Sequence, residues 1–253
     1  QNSVENTEKI YQFYLDDKGS DQNYSAYVPL SLTHIEVFDA TRIPYGAFSY
    51  VEMLQNISFE GISEIEGRAF EYATSIVVFD LPNTLSSIGT NAFAHTGIRN
   101  IVIPENVQMI GEGVFAGCKA LTKIEIPFVG QSVNSTGYNA VLGWFFGQSN
   151  YDGMVAVAQG SWTSYISAVL RTVEITNAST VSDYAFANIK TLTNVTLANS
   201  ITTIGNSAFS GCIGLTSINL ECVTSFGNNA FYGTSSLTAV SYTHLTLPTN
   251  SRV

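Results

Sequence analysis

Positive charge is scarce: ten Lys and Arg stand against twenty Asp and Glu in 253 residues, giving a net charge of -10. Nucleic acid or an anionic membrane requires a basic footprint, so neither is an expected partner. Cysteine is scarcer still. Three residues without a C-x-x-C pair make neither a disulfide framework nor a zinc ribbon. No apolar run reaches the roughly eighteen residues of a transmembrane helix, so no membrane insertion is expected. With 45% hydrophobic and 12% charged residues, the composition is that of a packed chain able to bury a core. The first residue is Gln1, so no leader can be read from this sequence.

What is present is a repeat. A half-unit of pattern L-x-x-I-x-I recurs at Leu32/Ile35/Val37, Leu54/Ile57/Phe59, Ile76/Phe79/Leu81, Ile98/Ile101/Ile103, Leu121/Ile124/Ile126, Leu170/Val173/Ile175, Leu192/Val195/Leu197 and Leu215/Ile218/Leu220. Its last two positions alternate with polar residues, as in a strand with one buried face. A second half-unit, I-G-x-x-A-F, follows each triplet but one, as in Ile88 to Phe93 and Ile204 to Phe209. Successive triplets start 22, 22, 22, 23, 49, 22 and 23 residues apart, so the long step carries an insertion between Ile126 and Leu170. A unit this short cannot bury its own apolar face, and stacking of coils is obligatory. Gly89, Gly111, Gly205 and Gly227 mark a sharp turn that needs either positive φ or a missing side chain.

A longer period overlies the short one. Shifting the chain by 138 lays Tyr27 on Tyr165, Leu32 on Leu170, Glu36 on Glu174 and Phe48 on Phe186. Residues 1–28 are therefore expected to be the tail of an earlier insertion, with the array beginning upstream. The remaining divisions are repeats over 29–126, an insertion over 127–169, and repeats again over 170–239. Both ends of this array are expected to expose uncapped apolar coils.

The unit L-T-x-I-x-I-P-x-x-V-x-x-I-G-x-x-A-F-x-G-C, clearest in Ile98 to Cys118 and Leu192 to Cys212, resembles the BspA-like leucine-rich repeat. The segments Pro127-Phe128-Val129-Gly130 and Leu142-Gly143-Trp144-Phe145-Phe146-Gly147 are similar to an insertion found in bacterial members of that family. The resemblance implies a right-handed leucine-rich-repeat solenoid of α/β class, strand-rich, with short helical turns and one inserted loop region. It also implies a secreted or surface-attached protein, extracellular and adhesin-like. Its partners would be a host matrix protein, another cell-surface protein or a glycan.

Residues Val240 to Thr249 read V-S-Y-T-H-L-T-L-P-T, which resembles the translation of a transposase sequencing adapter. Residues 240–253 are accordingly expected to be foreign to the repeat, although Leu237, Val240 and Tyr242 also keep its period as a further strand would.

Catalytic signatures reduce to the repeat. The glycines from Gly111 to Gly117 fall on its turn and lack the strand and helix of a dinucleotide fingerprint. Ser207 sits in a near miss for a nucleophile elbow, but the equivalent coil carries Asn91. His34 and His95 have no companion at ligand spacing. Asp16, Asp17, Asp21 and Asn23 form a polar loop without the Gly and Glu of an EF-hand. Cys118 and Cys212 share one repeat position three coils apart, about 14 Å at about 4.8 Å per strand, too far for a disulfide. With Cys222 they are expected to be free thiols. No cofactor and no metal are expected.

The recognition surface of a solenoid is its concave sheet. Outward strand positions give one row of His34, Asn56, Val78, Asn100, Lys123, Thr172, Asn194 and Ser217. A second row holds Glu36, Ser58, Asp80, Val102, Glu125, Glu174, Thr196 and Asn219. Among these, His34, Glu36, Asn56, Asp80, Asn100, Lys123, Glu125, Glu174 and Asn194 are the candidate binding residues. Their mixed, mildly acidic character suits hydrogen bonding to a protein or glycan and not to phosphate. The insertion is rich in rings, with Tyr138, Trp144, Phe145, Phe146, Tyr151, Trp162 and Tyr165 either packing on the solenoid edge or projecting from it. The expected function is non-enzymatic binding, with a structural spacer or an accessory domain of a larger secreted hydrolase as alternatives.

Overall fold

A computed structural model describes residues 7–15 and 19–241. The first half of nearly every coil forms a strand, and successive strands pair in parallel one coil apart. Asn100–Val102, Lys123–Ile126, Thr172–Ile175, Asn194–Leu197, Ser217–Asn219 and Ala239–Ser241 make a six-stranded sheet. His34–Val37 and Asn56–Phe59 make a second, two-stranded one. Coils are numbered here by their triplets, from Leu32 in coil 1 to Leu215 in coil 8. The ladder bonds are reinforced by hydroxyls: Thr122, Thr193 and Thr216 each donate Oγ1 to a carbonyl of the preceding coil, at 3.0, 3.1 and 2.9 Å. The T of the L-T-x-I motif is thus a rung between coils.

The I-G-x-x-A-F half corrects the α/β expectation. Its apolar residue ends a two-residue strand, as in Glu64–Ile65, Ser87–Ile88 and Met109–Ile110, and these strands form short parallel sheets of their own. No α-helix occurs among the described residues, and both 3₁₀ turns, Gly137–Ala140 and Leu142–Phe145, lie in the insertion. The reason is local. Each coil but the fifth places a left-handed residue just before the Ala-Phe pair or its equivalent, at Gly46, Arg68, Asn91, Gly113, Tyr184, Ser207 and Asn229. A second follows two residues after the Phe, at Tyr50, Tyr72, His95, Gly117, Asn188, Gly211 and Gly233. Two positive φ values within five residues exclude a right-handed helix.

The recurring glycines serve the alternative requirement, the missing side chain. Gly89, Gly111, Gly205 and Gly227 have no positive φ, but a Cβ on any of them would collide with backbone of the preceding coil. A Cβ on Gly111, for example, would strike the amide of Thr90.

Between the two layers runs a column of rings. Phe48, Phe70, Phe93 and Phe115 stack at centroid spacings of 5.3, 5.8 and 6.1 Å, and Phe186, Phe209 and Phe231 at 4.9 and 5.2 Å. Coil 3 departs from the expected strand: residues 77–81 are irregular, which is why the long-strand sheet is split in two. Here the inward strand positions of neighbouring coils carry rings, Phe59 and Phe79. Phe79 lies 5.6, 4.9 and 4.7 Å from Phe59, Phe70 and Phe93. Rings on both sides of the core occupy more width than the Ile and Val of other coils, and the irregular strand coincides with them.

The inserted segment still closes coil 5. Leu142 to Gly147 stands where the Ala-Phe turn belongs: the amides of Gly113 and Phe115 in coil 4 donate to the carbonyls of Trp144 and Phe145 at 2.8 and 2.7 Å. Trp144 Nε1 donates to Ile110 O at 2.8 Å, replacing the backbone amide that meets this carbonyl elsewhere, as Gly111 N meets Ile88 O at 2.7 Å. A hairpin of Met154–Gln159 and Trp162–Ser167 follows. The chain before coil 1 is also a hairpin, Thr7–Leu15 with Asp21–Pro29. Both enter the next coil through the same bond, Leu32 N to Pro29 O at 3.0 Å and Leu170 N to Ser167 O at 3.1 Å. Ile10 is 2% exposed within the core cluster, yet Leu32, Ile35, Val37 and Phe48 of coil 1 are only half-buried where their counterparts in coil 4 are buried, so the first coil stays partly exposed. At the other end Val240 and Ser241 continue the sheet on Ile218 and Asn219, while residues 242–253 of the segment expected to be foreign lie outside the described residues.

Because Phe93 and Phe209 are fully buried mid-column, Phe93→Ala or Phe209→Ala is expected to cost about 3–5 kcal/mol of stability. Denaturant unfolding at equilibrium measures it, and a loss below about 1 kcal/mol contradicts a continuous stacked core.

Candidate functional site

The strand register determines which side chains meet. His34 pairs with Asn56 and Glu36 with Ser58 on the first sheet. On the second, Asn100, Lys123, Thr172, Asn194 and Ser217 line up as one row, and Val102, Glu125, Glu174 and Thr196 as the next. Eight of the nine candidate residues therefore sit in register, in two groups. Asp80 is exposed but lies in the irregular part of coil 3, off either ladder. Asn219 also leaves the row: its amide turns back and brackets the backbone of Leu197, accepting from its N–H at 2.7 Å and donating to its C=O at 2.8 Å.

The carboxylates of this face differ in their partners. Glu174 is held by Lys123 at 3.4 Å, a half-exposed pair worth at most about 1 kcal/mol. Among the described residues the side chain of Glu36 meets His34, at 3.4 Å, both largely exposed. Asn100 Oδ1 accepts the hydroxyl of Thr122 at 3.0 Å. Two shallow cavities border the sheets. One, of about 340 Å³, lies over Glu36, Val37, Phe38, Ser58, Phe59 and Glu60. The other, about 520 Å³, runs between Glu105–Met109 and the inserted loop at Ser132–Asn134, above Phe128. Phe38 and Glu60 were not among the expected residues. They follow the last apolar position of their triplets, where continued in-out alternation is the only signal for them.

Most insertion rings pack. Trp144, Phe145 and Phe146 are buried, and Tyr151 closes on His95 with centroids 4.3 Å apart. Tyr138 is 53% exposed and stacks at 4.9 Å on Trp162.

The apparent catalytic residues have structural positions. Gly113 and Gly117 take the two left-handed turn positions, and so does Ser207 at φ 51°. No cluster of three His, Cys, Asp or Glu suited to a metal occurs among the described residues. Asp16 and Asp17 of the polar loop lie outside the described residues. All three cysteines are free, and Cys118 and Cys212 are buried. Each of these two donates its Sγ–H to a Phe carbonyl of the preceding coil, that of Phe93 at 3.1 Å and Phe186 at 2.9 Å. Burial pushes their thiols up to about 11 and about 12. Thiolate is the reactive form. At about pH 8 a disulfide reagent is therefore expected to titrate one thiol, Cys222, in the folded protein and three after denaturation. Rapid native reaction of all three contradicts this packing.

His95 stacks on Tyr72 at 4.1 Å and is edged by Tyr151, and burial lowers its pKa from the ordinary 6.5. The unfolded state then binds the proton better, so stability falls as pH drops through the unfolded value and levels off below the folded one. The acid loss of stability between about pH 7.5 and about pH 5.5 is expected to shrink in His95→Gln, compared by denaturant unfolding. An unchanged loss removes His95 as a cause.

The family model for the BspA type leucine rich repeat region matches six copies over residues 22–142 and 164–250. No curated protein matches. Among solved structures, a Treponema pallidum leucine rich repeat protein is similar at 18% identity and TM-score 0.43, covering 90% of this chain and 88% of its own. The pneumococcal vaccine antigen PcpA is 16% identical with TM-score 0.32, over 95% and 81%. A leucine-rich repeat protein of Eubacterium ventriosum is 23% identical with TM-score 0.37, over 83% of this chain and 54% of its own, so the chain spans about half the length of that protein.

Proposed function

Since the chain belongs to the BspA-type leucine-rich repeat family, we propose that it is a non-enzymatic binding module of an extracellular, cell-surface protein, and that its long-strand sheet face holds a protein partner. The same reading takes the solenoid as right-handed, with this sheet on its inner curve. One observation carries it. The registered rows hold polar side chains in a fixed pattern, and Glu125 and Asp80 have no ion-pair partner among the described residues. Rigid strands leave little backbone entropy to lose on association. An excess of carboxylates, on a chain of net charge -10, favours a basic partner and an association weakened by salt. A protein presents Lys and Arg to such rows, which a neutral glycan does not.

The test is immobilised full-length protein against a panel of matrix proteins, surface proteins and glycans. Saturable binding to a protein is expected. It should weaken at least about tenfold between about 50 and about 300 mM salt, and by a similar factor in the quadruple variant Glu36→Gln, Asp80→Asn, Glu125→Gln, Glu174→Gln. Binding indifferent to the quadruple variant, or confined to glycans, overturns the proposal.

A further inference from the structure

The strand ends at coils 1 and 2 build a specific seat within this face. Glu36 and Ser58 are paired in register, and the ladder continues one step further through Glu60 N to Val37 O at 3.0 Å. Val37 and Phe59 pack against the core, while Glu36 and Ser58 within the strands, and Phe38 and Glu60 immediately after them, line one shallow cavity. The four bring two carboxylates, a ring and a hydroxyl to one place on the surface.

All four residues are exposed, Phe38 at 62%. Glu60 makes no ion pair among the described residues, and Glu36 has only the exposed contact with His34. The cavity over the quartet, about 340 Å³, is open to solvent along the sheet. The contrast with coils 5 and 6 is informative, since there the carboxylate of Glu174 is already met by Lys123 of the same face.

We propose that Glu36, Phe38, Ser58 and Glu60 seat an arginine side chain from an extended basic segment of the protein partner. This rests on the reading that the sheet face binds protein. A guanidinium laid on the Phe38 ring keeps its edge free, and its planar fork of donors matches the two carboxylates and the Ser58 hydroxyl. A lysine ammonium has the charge but neither the stacking plane nor the fork. The seat therefore discriminates arginine from lysine, which diffuse attraction to an acidic surface does not.

The experiment is fluorescence anisotropy of the full chain with labelled decapeptides alternating arginine and threonine, and matched peptides with lysine or glutamate in place of arginine. Saturable binding of the arginine peptide is expected, about fivefold weaker binding of the lysine peptide, and none of the glutamate peptide. Phe38→Ala, and separately the double variant Glu36→Gln, Glu60→Gln, should weaken the arginine peptide about tenfold and abolish its advantage over lysine. Asp80→Asn with Glu125→Gln should keep that advantage. Phe38 is solvent-exposed, so an unchanged thermal midpoint shows that Phe38→Ala folds. Equal binding of the two cationic peptides, indifference to Phe38→Ala, or no binding of the arginine peptide overturns the seat. If a protein partner is lost on changing Asp80, Glu125 and Glu174 but not on changing the quartet, the sheet-face reading stands and the seat alone falls.

Discussion

The repeat array depends on backbone hydrogen bonds between adjacent coils, which outside the insertion link residues 21 to 24 positions apart. They hold each coil to the next at strand spacing, and they tolerate nothing between the coils at the points of closest approach. That is why Gly111 faces the amide of Thr90 with no room for a Cβ, and why the same is true of Gly89, Gly205 and Gly227. The requirement is one of clearance and not of dihedral angle. The dihedral demand falls elsewhere, on two left-handed positions per coil, and those admit Tyr, Arg, Asn, Ser and His as well as Gly. Stacking is strong enough to hold such residues where an isolated turn would choose glycine.

The same constraint explains the insertion. A break in the ladder would leave carbonyls of coil 4 buried without donors, which is costly. Trp144 supplies an indole N–H to Ile110 O, and Gln131 O accepts from Ile110 N at 2.9 Å. On the far side Gln159 is itself buried, accepting from Gly143 N at 2.9 Å and donating to Ala185 O at 2.6 Å. Side chains thus substitute for the missing backbone, and the two ring columns continue on either side of the joint. The insertion works as a splice in the solenoid, and its hairpin packs against the spliced coil.

The consequence for recognition is that the core and the binding face answer to different rules. Inward positions are interchangeable aliphatics and rings whose sizes must match the coil spacing, and where Phe59 and Phe79 exceed it the strand of coil 3 gives way. Outward positions are free of that demand. They meet a neighbour in the next coil, as for Lys123 and Glu174, or the backbone, as for Asn219, or no ion-pair partner among the described residues, as for Glu60. The last group is where the proposed contacts lie.

The repeat period, the inward residues, the family and most of the two outward rows were legible in the sequence, because a period of two within a period of 22 or 23 sets the face and register of a side chain wherever the strand is regular, as it is not in coil 3. The free thiols were legible for the same reason, since Cys118 and Cys212 share one phase three coils apart. Other features were not. The Ala-Phe half forms strands and left-handed turns instead of helical ones, because φ depends on how adjacent coils pack and not on local propensity. The choice between positive φ and clearance at the glycines needed the position of the preceding coil. The bond from Trp144 to Ile110 and the cavity that Phe38 and Glu60 share join residues that no shared motif connects. Sequence periodicity determines which residues occupy equivalent places, but only the stacked structure decides which of those places touch.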